Sequence, residues 1–73
     1  PIMGRIVGEF RGFAEGRQYT LDNGQVWRQI DSATLSGVRK DSPGVSIKPS
    51  VIGNAWYLSI EGYNTRAKVQ RVK

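Results

Sequence analysis

The sequence predicts one all-β domain, and three observations point there. The chain has 73 residues and no cysteine, enough for a single thin core but not for two. Glycine, proline and asparagine turn signals divide it at short, even intervals, the spacing of a barrel or sandwich. Between them the apolar residues alternate with polar ones, as in Val45 to Lys48 and Ala55 to Ile60. Together these give a small five- to six-stranded SH3-like barrel with one long loop, formed from residues 1–73 as a single domain.

The elements follow in order. Met3 to Ala14 reads MGRIVGEFRGFA, with glycines at 4, 8 and 12. A helix would lose roughly 1 kcal/mol at each interior glycine, so the segment is expected to be one strand. Its glycines, Ile6 and Phe10 then share a face, and Phe13 lies off it. Arg17 to Leu21 and Gln25 to Asp31 flank Asp22-Asn23-Gly24, the strongest short-range hairpin signal in the chain. A two-residue loop sets Thr20 opposite Trp27, whereas a three-residue loop with Gly24 left-handed sets Tyr19 there. One residue of slip exchanges the two faces, so Trp27 is either core or surface.

Ser32 to Asp41 loses all periodicity and is expected to be the long loop, with Asp31 or Ser32 able to cap one helical turn through Leu35. After Ser42-Pro43-Gly44, Val45 and Ile47 point inward and Ser46 and Lys48 outward, until Pro49 ends or restricts the ladder. Gly53-Asn54 marks a second hairpin. Trp56, Leu58 and Ile60 then share one face, and Tyr57 and Ser59 the other. Thr65 to Val72 is the last strand, with Ala67 and Val69 between Arg66, Lys68 and Gln70.

Composition narrows the chemistry. The chain has no histidine and no cysteine, which removes the commonest general base, the commonest metal ligand and every thiolate nucleophile. The six carboxylates follow no calcium-loop spacing, and only a cross-strand pair such as Glu9 with Asp31 offers two acids for catalysis. The glycines precede no helix, so no phosphate loop is expected. The reading is therefore not an enzyme, with no catalytic, cofactor or metal site.

Net charge is +5, unevenly placed. Residues 1 to 61 balance to +1, while residues 62 to 73 carry Arg66, Lys68, Arg71 and Lys73 and no acid. Small barrels bind single-stranded nucleic acid with a basic groove and stacked aromatics. A basic terminal strand also serves as a charged edge that resists sheet-to-sheet pairing. Anionic lipid is a third partner for such a strand. The candidate binding surface is Trp27, Tyr57, Tyr63, Arg66, Lys68 and Arg71. Unpaired first and last strands would leave an open barrel, monomeric or edge-paired as a dimer. No apolar run approaches the length of a transmembrane helix, and no signal peptide is present; the chain begins at Pro1, as a processed product or cloned fragment would.

The stretches GRIVGEFRGF at 4–13, YTLDNGQVWRQIDS at 19–32, VSIKPSVIGNAWYLSIEGYN at 45–64 and AKVQRVK at 67–73 resemble a small proteobacterial domain family of unknown function, most specifically in LDNGQVWRQ at 21–29. In that family the domain follows a signal peptide and a helical, glutamate-rich segment. The resemblance implies export to the periplasm or cell envelope and supplies no activity. The functional expectation is a binding or structural module for a protein or envelope component, with a single-stranded nucleic-acid-binding barrel as the alternative.

Overall fold

The computed structural model describes all 73 residues as strands, turns and loops without a helix. Eight strands form: β1 (Ile2–Arg5), β2 (Glu9–Phe10), β3 (Gln18–Thr20), β4 (Val26–Gln29), β5 (Lys40–Asp41), β6 (Gly44–Pro49), β7 (Trp56–Ile60) and β8 (Arg66–Arg71). Six of them make one antiparallel sheet in the order β1-β6-β7-β8-β4-β3, and β2 pairs with β5 in a separate ladder. The large sheet curls until its two edges meet at the Ile6–Leu21 bridge. Val7 N donates to Thr20 O at 2.8 Å and Asp22 N to Arg5 O at 2.9 Å beside that bridge. The protein is a small all-β barrel, and no helix is long and apolar enough to cross a membrane.

Alternation places the core. Across neighbouring strands Ile2, Ile47, Leu58 and Ala67 stand in one inward row, and the last three are wholly buried. Val45 opposite Ile60 and Trp56 opposite Val69 form the adjacent rows. Each fully buried aliphatic or aromatic side chain contributes roughly 1.5–3 kcal/mol. Phe10, Phe13 and Tyr19 pack edge to face or tilted at the β2–β3 end, with ring centroids 5.4 to 6.1 Å apart.

Four expectations change here. The first segment is two strands, because after Arg5 the chain leaves β6 and bends at Val7–Gly8 to pair with β5. Phe13 is buried despite its parity, since the chain turns inward at Gly12. Lys40 and Asp41, assigned to the long loop, pair with Phe10 and Glu9. Lastly, β8 is not an edge: it lies between β7 and β4, so its charges protect no free edge. The first and last strands do not pair, yet the barrel closes through β1 and β3.

The hairpin register also resolves. Asp22, Asn23 and Gly24 form a three-residue loop, with Gly24 at φ +88° donating its N–H to Leu21 O at 3.0 Å. Tyr19 therefore pairs with Trp27. Both point inward, and Trp27 keeps only 3% of its surface exposed. Its ring packs tilted against Trp56, with centroids 5.7 Å apart and planes 55° apart, and its indole N–H reaches Gln25 Oε1 at 3.1 Å.

Gln29, 1% exposed, ties the long loop to the barrel. Its Oε1 accepts Tyr19 Oη–H at 2.7 Å and Ala14 N–H at 3.0 Å. Its Nε2 donates to Ala33 O at 2.7 Å and Asp31 Oδ1 at 3.1 Å. Asp31 caps no helical turn. Its Oδ1 accepts Ala33 N–H at 3.3 Å, and its Oδ2 accepts Lys68 N–H at 2.9 Å where the β4–β8 ladder ends. Burial raises the Tyr19 pKa above its usual 10, because the phenolate would lose its hydration; backbone hydrogen bonding and Arg17 oppose the shift. Below pH about 10 this costs nothing. Above it the unfolded chain ionises while the folded phenol stays protonated, so stability falls as pH rises through the folded value. Chemical denaturation at increasing alkaline pH is expected to show this decline, and Tyr19→Phe to reduce it.

Candidate functional site

Charge is segregated by element. None of the six strands of the large sheet contains an aspartate or glutamate, whereas they carry Arg5, Arg28, Lys48, Arg66, Lys68 and Arg71. The acids lie elsewhere: Glu9 and Asp41 face each other across the β2–β5 ladder, and Glu15, Asp22, Asp31 and Glu61 occupy turns and loops. Glu9 therefore does not meet Asp31; it forms an ion pair with Arg11 at 2.8 Å, the single ion pair of the chain. Asp22 and Asp31 spend their oxygens on backbone N–H groups, of Arg5 in one case and Lys68 in the other. The cationic side chains of the sheet are left without carboxylate partners.

The strand register gathers several of these on the outer face. Lys48 pairs with Tyr57, and Tyr57 with Lys68, so the phenol stands in a row between two ammonium groups. In the next row Ser46, Ser59 and Arg66 align, with the two serine hydroxyls 3.0 Å apart. The Arg66 guanidinium crosses diagonally to lie 5.2 Å from the centroid of the Tyr57 ring. Arg28, opposite Gln70, extends the face across β4. A shallow depression of about 300 Å³ is bounded by Lys48, Val51, Tyr57, Ser59 and Arg66. Here a planar aromatic and several unopposed cations converge, an arrangement suited to phosphate or carboxylate groups.

A second, larger groove of about 690 Å³ opens at the end of the barrel, lined in part by Ile2, Trp27, Trp56, Lys68 and Arg71. Trp27 and Arg71 are register partners there. Trp27 contributes the floor of the groove rather than a projecting platform. The Arg71 Nε–H is turned toward Lys73 O at 3.1 Å.

The predicted surface therefore divides. Tyr57, Arg66 and Lys68 come together on the outer face. Arg71 stands at the barrel end above buried Trp27, whose inward position follows from the three-residue hairpin loop. Tyr63 lies apart, after the β7–β8 turn, with Lys40 Nζ 5.3 Å from its ring centroid. Lys48 and Arg28 belong to the face and were missed. The alternation already pointed Lys48 outward; its pairing with Tyr57 was hidden by the β6–β7 loop. A tight turn at Gly53-Asn54 would set Ser50 opposite Tyr57, but the loop runs from Ser50 to Ala55, so Lys48 takes that place. Compared with protein-family models, curated proteins and solved structures, the chain matches none.

Proposed function

We propose that the chain is a non-enzymatic binding module, and that its partner is a protein or cell-envelope component presenting negative charge to the outer face around Tyr57. The carboxylate-free sheet carries this reading: Lys48, Arg66 and Lys68 surround one phenol, and none of them forms an ion pair with an acid of the chain. The absence of histidine and cysteine supports a role without catalysis. The resemblance of residues 21–29 to an exported domain family supports a place in the periplasm or envelope.

Single-stranded nucleic acid is the second reading, favoured by the outer-face Tyr57 ring with Arg66 5.2 Å from its centroid and Lys48 and Lys68 on either side. Against it, Tyr57 is the one aromatic on this face, whereas strand-binding barrels stack successive bases. Lys48→Glu combined with Arg66→Glu is expected to weaken binding to any anionic partner by tenfold or more at low salt, with little loss of stability because both side chains are exposed. Oligonucleotide titrations at several salt concentrations separate the readings. A steep, linear fall of log affinity with log salt supports nucleic acid, and no binding at low salt removes it.

A further inference from the structure

The β6–β7 loop carries two aliphatic residues that no part of the chain covers. Val51 is 100% exposed and Ile52 83%. The loop is nonetheless held in shape: Ser50 N donates to Ala55 O at 2.7 Å, and Ile52 N to Ser50 Oγ at 3.2 Å. On one side Val51 borders the depression that holds Lys48, Tyr57 and Arg66. On the other, Asn54 and Ala55 border the groove lined by Lys68 and Arg71. An apolar tip thus projects between two pairs of cations, with no carboxylate on β6, β7 or β8.

Resting on the proposed envelope reading, we infer that this loop docks the domain on an anionic lipid bilayer, with Val51 and Ile52 entering the headgroup–acyl boundary while Lys48, Arg66 and Lys68 meet lipid phosphates. The chemistry of the surface favours this occupant. A bilayer interface takes apolar side chains and cations together, and places amphipathic aromatics such as Tyr57 at headgroup level. A nucleic acid backbone satisfies the cations but gives two aliphatic side chains no apolar environment. A second copy would bring a net charge of +5 against the same cations.

The test is cosedimentation with vesicles of mixed phosphatidylglycerol and phosphatidylcholine, beside vesicles of phosphatidylcholine alone. Wild type is expected to bind the mixed vesicles and to bind neutral ones at least tenfold more weakly, each cation near the surface contributing roughly fivefold. Val51→Ser combined with Ile52→Ser is expected to lower binding to the mixed vesicles by about tenfold or more, without changing the thermal melt. Lys48→Glu combined with Arg66→Glu is expected to lower it at least as far. If the serine variant binds like wild type while the glutamate variant does not, insertion of the loop is overturned and the anion-binding face stands. If wild type ignores anionic vesicles but binds oligonucleotides or an acidic protein, the lipid inference is overturned. If it binds no anionic partner at low salt, the face reading falls with it.

Discussion

Gly12→Ala is expected to remove much of the stability of the domain, by about 3–4 kcal/mol. Two costs coincide at this position. The backbone holds φ at +97°, which an alanine reaches only under strain of roughly 1–3 kcal/mol. A Cβ there would also stand 2.0 Å from Leu35 O and 3.1 Å from its carbonyl carbon. Both atoms are backbone, so the long loop would have to lift from the barrel, uncovering Leu35 and Ala33 where they pack on the core. Gly24→Ala separates the two costs, because Gly24 has φ +88° but nothing within 4 Å of a Cβ. Urea denaturation should therefore show a loss at Gly12 about 2 kcal/mol greater than at Gly24. Equal losses would mean that the loop does not bear on Gly12. For a domain of this length total stability is roughly 4–11 kcal/mol, so the Gly12 variant is expected to be partly unfolded at moderate temperature.

Gln29→Leu should be nearly as damaging, at about 3–5 kcal/mol. Leucine fills a similar volume, so the cost is polar. Tyr19 Oη–H and the Ala14 and Ala33 backbone groups lose their bonds to the amide. A buried group left without a partner costs roughly 1–3 kcal/mol. Removing the hydroxyl, left with only Gly12 O at 3.5 Å, should return part of that loss: Tyr19→Phe is expected to destabilise wild type but to be neutral or stabilising in the Gln29→Leu background. A double-mutant cycle by chemical denaturation measures the difference. Simple additivity of the two substitutions would show that the amide and the phenol are not coupled.

The parts of the fold that were legible in the sequence are those fixed by neighbours in the chain. Asp22-Asn23-Gly24 names its own hairpin, and alternation from Ala55 to Ile60 separates Leu58 and Ile60 from Tyr57 and Ser59. What stayed hidden depends on residues distant in sequence. The two hairpin registers differ only in whether Asp22 joins the loop, and the choice is sealed by Asp22 pairing with Arg5 across the barrel seam. The glycine spacing at 4, 8 and 12 looks like one strand, yet the chain changes partners midway. Nothing local says that β8 inserts between β7 and β4, which converts a supposed edge into the middle of a basic face. Nothing within VWRQI marks Gln29 as buried, because the groups that satisfy it come from residues 14, 19, 31 and 33. The site was half legible for the same reason. Tyr57, Arg66 and Lys68 could be placed outward by parity, but their junction with Lys48 is a matter of register.

The proposed binding of an anionic partner to the outer face around Tyr57 predicts which residues respond to it. Its most direct test is an amide chemical-shift map of the isotopically labelled protein, titrated with phosphatidylglycerol-containing nanodiscs and separately with a single-stranded oligonucleotide. Shifts and broadening concentrated at Lys48, Tyr57, Ser59, Arg66 and Lys68 are predicted for whichever anion binds, with Val51 and Ile52 joining them for the lipid. Perturbations centred instead on Lys40 and Tyr63, or none with either anion at low salt, would contradict it.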